Sequence, residues 1–356
     1  NLKNKTMTLP QNSENEIVSI SASQIRDEFG PTESSNKVAL GEYRVEKNFG
    51  ELSEIPMDEG IPQGNNPISF QDFKGKKLNI IIDYYTSTYT NNTRENEGET
   101  MNIRDRFTSG TDVHVVGGLR SKPSSSSETK IIVHVNRKLG GEKANDATRC
   151  ALRTGTGWEA DTEMVIDVGN EGRIYGAGGN GGRGGDMDAS GDDGQTGTSG
   201  LGISLAGVEI NVASGGIIKA GFGGGGGGGN GRQEDKNADR RAGGGGGGGG
   251  AGFPAGSGGV AGEGNGADGS AGTAGSLTSA GEGGSGSQND SQAYGAAGGE
   301  GGQFNENAND GGAAEHGKGE GGGNGAAIRK SSGASFQLSK ASGAEVDGST
   351  TATGVS

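Results

Sequence analysis

Across 356 residues the chain carries 28% hydrophobic and 4% aromatic side chains, 79 glycines, a net charge of −14 at pH 7 and a pI near 4.8. The length leaves room for two or three domains, yet this composition excludes a conventional large hydrophobic core over most of it. The acidic balance argues against nucleic acid and anionic membrane as partners, because both need a basic surface. A single cysteine, Cys150, excludes a disulfide framework. No stretch approaches the roughly 18 apolar residues of a membrane span, so no membrane insertion is expected, and no basic-then-apolar signal peptide opens the chain.

Residues 1–15 are polar and read as an extended arm. Two phrases then match one another, Ile20-Ser21-Ala22-Ser23-Gln24-Ile25-Arg26 and Ile68-Ser69-Phe70-Gln71-Asp72-Phe73-Lys74. In each, a serine caps a short helix whose third residue, Gln24 or Asp72, reaches back to it, and Gly30 or Gly75 stands just past the end. The loop between them, 41–64, is punctuated by Pro and Gly. Residues 1–76 are therefore expected to form a small attachment or assembly module, with too little apolar material to stand alone.

From residue 78 the pattern turns to β. Short β-branched runs at 78–85, 112–116, 130–135 and 164–168 are separated by Gly, Ser, Asn and Pro clusters, with no helical period between them. This predicts a small antiparallel β-sandwich over 77–170, with exposed loops at 86–100 and 121–129. Cys150 lies in an alternating stretch, 148–152, and reads as a buried structural thiol. A repeat then joins this region to the glycine-rich chain beyond it: Val165-Ile166-Asp167-Val168 leads through Gly172 and Ile174 into a glycine run, and Glu209-Ile210-Asn211-Val212 leads through Gly216 and Ile218 into another. A weaker copy closes the chain at Ala327-Ile328 and Ser335-Phe336-Gln337-Leu338. These segments read as apolar hairpins capping the glycine runs.

Between residues 172 and 325 glycine recurs every third position, as at Gly176, Gly179, Gly182 and Gly185, and again at Gly266, Gly269, Gly272 and Gly275. Disorder has no use for such a phase, whereas a left-handed polyproline-II-type helix has three residues per turn and sets every third residue on one crowded edge. The runs are too short, interrupted and proline-poor for collagen. The expected fold is thus mainly β plus polyglycine-II with little α-helix: the module 1–76, the sandwich 77–170, a bundle of glycine helices over 171–326, and a C-terminal strand or tail over 327–356. Its hydrogen bonds would run between neighbouring main chains. The runs 223–229 and 243–250 carry no phase of their own and are expected at its centre, where only glycine tolerates neighbours on every side. Polar loops would join the runs at alternating ends.

Enzyme chemistry has little support. His114 and His134 sit in strand patterns, His316 stands apart, and Gly-x-Gly-x-x-Gly is trivial in this composition. Asp186, Asp188 and Asp192 form a weak calcium candidate, since Gly181 to Asp186 matches the start of a calcium-binding nonapeptide that then fails at Asp188. No catalytic residue and no cofactor is expected. Phe222, Phe253, Tyr294 and Phe304 each edge a glycine run, and as rings covering bundle ends they are as well explained as binding residues.

The glycine field, with the phrases 20–25, 67–73 and Gly172-Arg173-Ile174-Tyr175-Gly176, resembles the receptor-binding tip adhesins of T-even-type phage long tail fibres and glycine-rich tail proteins of other tailed phages. The resemblance implies a non-enzymatic, extracellular virion protein of the tail or tail fibre. Its N-terminal part would dock onto a fibre or baseplate protein, and its distal loops would touch a bacterial outer-surface protein or glycan. It carries over as receptor-facing candidates Asp188, Arg232, Glu234, Lys236, Arg240, Arg241, Phe253, Pro254, Tyr294 and Phe304. The β-rich segment before residue 168 departs from the simplest tip adhesins and leaves the position on the tail, and a homotrimeric assembly, open. The competing readings are a structural tail, baseplate or fibre component whose bundle is a rigid spacer, and, third, an ice-binding protein.

Overall fold

The computed structural model describes residues 20–29, 40, 66–74, 80–83, 101–103, 114–115, 131–158, 162–235, 238–289 and 293–356. The arm 1–15, the loops 41–64, 86–100 and 121–129, and Gly30 and Gly75 lie outside the described residues. Helix among the described residues is confined almost entirely to α1 (Ala22–Phe29) and a 3-10 turn at Phe70–Phe73. Both matching phrases form as expected: the Ser21 N–H donates to Gln24 Oε1 at 2.8 Å, and the Ser69 N–H donates to Asp72 Oδ2 at 2.6 Å.

The strands wind as a three-sided coil. Before the first full coil come β1 (Ile80–Asp83), β2 (Met101–Asn102) and β3 (His114–Val115). The first coil is β4 (Ile131–Val135), β5 (Lys138–Gly140) and β6 (Cys150–Arg153); the second is β7 (Met164–Val168), β8 (Arg173–Tyr175) and β9 (Ser199–Ile203). The third opens with β10 (Val208–Val212) and β11 (Ile217–Lys219), is interrupted by two hairpins, β12 (Gly231–Asp235) with β13 (Ala238–Ala242) and β14 (Gln288–Asn289) with β15 (Ala293–Tyr294), and closes with β16 (Ile328–Lys330). The last coil is β17 (Phe336–Lys340), β18 (Glu345–Asp347) and β19 (Ala352–Thr353). Three sheets result, ordered β17-β10-β7-β4-β1-β3, β18-β11-β8-β5 and β19-β16-β9-β6-β2. Every pairing in them is parallel except β1 with β3.

This corrects the expected antiparallel sandwich. Short β-branched runs without a helical crossover read as antiparallel because parallel neighbours usually need one. Here the chain returns in parallel by travelling round the other two sides. The apparent hairpins are corrected for the same reason: β7 and β8 lie in different sheets and each pairs with its counterpart one coil away. Identical register stacks like on like, as in Val133, Ile166, Ile210 and Leu338 on the first side, Leu139, Ile174, Ile218 and Val346 on the second, and Leu152, Leu201 and Ile328 on the third. These columns fill one core, and Ile166, Ile174, Leu201, Ile210 and Ile218 are fully buried in it. Cys150 belongs to the same wall; burial pushes its thiol up to about 12, which leaves it protonated and inert.

All the glycine-rich chain enters at one corner, between the second side and the third. That corner takes residues 141–149 in the first coil, 176–198 in the second, 220–327 in the third and 348–351 in the last. The insertions form ten runs, 176–185, 191–198, 221–230, 243–250, 256–262, 267–275, 281–287, 295–302, 307–312 and 319–325, joined by hydrogen bonds between main chains. The third run shows the rule. Gly224 and Gly227 donate to the second run (Gln195, Asp192), Gly225 and Gly228 to the fourth (Gly248, Gly245), and Gly226 and Gly229 to the ninth (Asn309, Gly312). Its carbonyls accept from the first run (Gly182, Gly185), the eighth (Gly299, Ala296) and the tenth (Gly322, Gly319). The fourth run likewise donates to the first, sixth and eighth and accepts from the third, fifth and seventh. The two runs without phase are therefore enclosed by the other eight, and every residue of 223–229 and 243–250 is buried.

Close approach explains why those positions are glycine. A Cβ on Gly247 would lie 2.0 Å from the Gly225 carbonyl oxygen, whereas one on the peripheral Gly323 would meet nothing nearer than Thr196 at 3.7 Å. Gly247→Ala is expected to cost about 3 kcal/mol or more, and Gly323→Ala close to nothing. Thermal melts of the two variants check this; equal melting temperatures would show that the bundle is not closely packed.

A second expectation comes from the outer register of the first sheet, where Asp83, His134, Asp167, Asn211 and Ser339 align. His134 is 2% exposed, with Nδ1 3.7 Å from Asp167 Oδ2. Burial lowers its pKa below the ordinary 6.5, only partly opposed by Asp167. Its contribution to stability is therefore complete above that value and is lost as pH falls below it. The melting temperature should drop between pH 7.5 and pH 5 more steeply in the native chain than in His134→Gln, and parallel slopes would remove His134 as the cause.

Candidate functional site: the far end of the glycine bundle

The direction of each run follows from its hydrogen-bond register. Asp192, Gln195 and Thr198 donate to Arg183, Asn180 and Ala177, so the second run comes back along the first, and the same reversal relates each later run to the one before it. The connecting segments consequently fall into two groups. Residues 251–255, 276–280 and 303–306 turn at the end next to the coil, and residues 186–190, the β12–β13 hairpin, 263–266, the β14–β15 hairpin and 313–318 lie at the opposite end. The far end is where most of the sequence-derived candidates meet.

At the near end the aromatics serve as mortar. Phe253 lies edge-on to Tyr175, with ring centroids 6.4 Å apart, and Lys138 Nζ sits 4.0 Å over its ring. The ring occupies the space beside Gly140, where a Cβ would come within 2.6 Å of it, and the Gly141 N–H donates to the carbonyls of both Tyr175 and Phe253. Phe222 is buried with Ala220 and Ala251. Phe304 is exposed, but its loop is folded on the near side, where the Gln303 carboxamide accepts from the Ala280 N–H at 3.1 Å. Phe253, Pro254 and Phe304 therefore lie at the end of the bundle opposite the other candidates, because the odd and even connections of an up-and-down bundle face opposite ways.

At the far end a polar lattice ties the loops together. Asp188 accepts from Arg241 Nη1 at 2.6 Å and from Arg232 Nη1 at 3.4 Å, and these two arginines stand opposite each other in the β12–β13 hairpin. The Arg241 N–H donates to Asn265 Oδ1 at 2.8 Å, and Asn289 Nδ2 donates to the Arg241 carbonyl at 3.1 Å and to Asn265 Oδ1 at 3.0 Å. Asp186 pairs with Arg183 and accepts from the Glu263 N–H. Asn230, buried at the tip of the third run, donates to the Met187 carbonyl. On the adjoining flank, hydrogen bonds from Lys318 and from the Gly321 N–H hold the Asp310 carboxyl below the usual carboxylate range.

Two large side chains in these loops are exposed. Met187 is 44% exposed and Tyr294 is 55% exposed, with the tyrosine hydroxyl accepting from Gln288 Nε2 at 3.2 Å. Arg232, Arg240 and Arg241 are only partly exposed. Glu234 lies in β12, and Lys236 falls outside the described residues. The calcium candidate is not assembled: Asp186 and Asp188 are engaged by arginines, Asp192 projects from the side of the second run, and no group of three acidic, histidine or cysteine ligands occurs among the described residues. Sequence reasoning missed Met187, Asn265 and Asn289. The only available signal was position, since each lies in a break between glycine runs.

The family described as phage tail fibre adhesin Gp38 has a model that matches residues 98–353. Among solved structures, the crystal structure of the gp37–gp38 adhesin tip complex of the bacteriophage S16 long tail fibre is similar at 19% sequence identity and a TM-score of 0.36, covering 81% of this chain and 88% of that one. No curated protein sequence matches.

Proposed function

The chain belongs to the Gp38 family of phage tail fibre adhesins, virion proteins that recognise the host surface, and from that premise we propose that recognition is carried by the five loops at the far end of its glycine bundle. One observation carries this reading: those loops emerge together, on the side away from the coil, and four of them are joined into a polar surface, with Tyr294 and Met187 exposed on them. Binding residues concentrate on loops held by a rigid scaffold, and exposed tyrosine and methionine on an otherwise hydrophilic surface are suited to contact. The partner is an outer-surface protein or glycan of the bacterial host.

The scaffold is a bundle of polyglycine-II helices. Support comes from successive residues donating to three different neighbours, as Gly225, Gly226 and Gly227 do, which is the threefold symmetry of that helix. Among the described residues, positive φ at glycine falls in turns and loops such as Gly252 and Gly266 and not within the runs. Residues 1–76 serve as the attachment module to another tail-fibre protein, and their two capped turns precede the first coil in the chain.

Tyr294→Ala and Met187→Ala are expected to slow adsorption of phage to host cells on the order of tenfold each without lowering the melting temperature. Phe253→Ala should do the reverse, losing roughly 2 kcal/mol of stability while the folded fraction adsorbs normally. Adsorption kinetics with phage carrying each variant check both. Normal adsorption by the Tyr294 and Met187 variants together would eliminate the far end as the recognition surface.

A further inference from the structure

Resting on the far-end reading, we propose that Arg241 is a positioning residue of the recognition surface, which locks four loops into one plate and does not itself touch the receptor. Its side chain is 17% exposed, against 56% for the Asp188 side chain it meets, 55% for Tyr294 and 44% for Met187. Three of its groups each reach a different loop. The guanidinium meets Asp188 of 186–190, the backbone N–H meets Asn265 of 263–266, and the carbonyl meets Asn289 of β14. Asp188 in turn spans both strands of the hairpin by also meeting Arg232, so one carboxylate fixes the roll of β12 and β13 above the end of the bundle.

An exposed ion pair of this kind adds little to global stability. Its effect lies in preorganisation. A hairpin that samples other orientations presents the binding surface for only part of the time, and apparent affinity falls by that fraction. The side-chain link between Arg241 and Asp188 is the removable part of the lock, because the two backbone bonds survive substitution.

A double-mutant cycle tests the assignment, with adsorption rate and amide hydrogen exchange of residues 231–242 measured on the full chain. Arg241→Ala and Asp188→Ala are each expected to slow adsorption about threefold and to speed exchange of the hairpin amides, and the double variant should be no slower than the worse single variant. Effects that multiply to about ninefold would make the two residues independent receptor contacts and overturn the proposal. Slower adsorption with unchanged hairpin exchange would overturn it as well, as would single variants that adsorb normally. Tyr294→Ala and Met187→Ala run alongside separate the two levels: if both of these adsorb normally as well, the far-end reading itself has failed, whereas loss in either of them with normal adsorption by Arg241→Ala and Asp188→Ala rejects only the role of Arg241.

Discussion

The structure depends on one constraint: every backbone N–H and C=O taken out of water must find a partner. In the ten runs between residues 176 and 325 the chain meets it without regular sheet or α-helix, by laying main chains so close that N–H groups along each run reach carbonyls on neighbouring runs. Contacts such as the 2.0 Å that would separate a Gly247 Cβ from the Gly225 oxygen show that side chains are excluded by geometry. Glycine is entropically costly to order. The cost is offset because each central run is hydrogen-bonded on all sides, so ordering one run supplies partners to six others.

Such a lattice buries little apolar side chain, and the coil supplies the largest apolar cluster among the described residues. Columns of Val, Ile and Leu in identical register hold its three sides together. Because all the glycine-rich chain is inserted at one corner, strands before and after the insertions pair with each other: β10 and β11 enter the third coil, and β16 completes it more than a hundred residues later. Apolar burial thus fixes both feet of the bundle, and the Phe253 ring against Tyr175 and Lys138 seats its base.

What could be read from the sequence divides along the same line. The three-residue glycine phase reports local geometry, and the enclosure of 223–229 and 243–250 followed from the absence of any side chain to place elsewhere. The capping serines Ser21 and Ser69 were legible because a cap is a contact over three residues. Direction was not legible. The run Ile131-Ile132-Val133-His134-Val135 says that a strand forms and says nothing about whether its partner runs with it or against it; that is decided by the path round the coil. Which candidates share an end with Phe253 and Phe304 has the same origin, since the parity of a loop, and with it the end at which it lies, depends on counting every run before it. Asn265 and Asn289 were invisible because their importance comes from a residue in another loop, Arg241, that no local pattern connects to them.

The perpendicular relation between runs and hydrogen bonds has a mechanical consequence. The chain leaves the coil after Ala220 and re-enters at Ala326, so the bundle is fastened at one end while its loops lie at the other. A pull on those loops is directed along the runs, at right angles to the bonds between them. Ladders pulled that way are loaded in shear, with many bonds sharing the force, and cannot be opened one at a time from an end. If the host is gripped by those loops, as proposed above, a virion swinging on it is held by a cable of main chains, whose resistance to tension comes from the number of strands in parallel and not from the strength of any single contact.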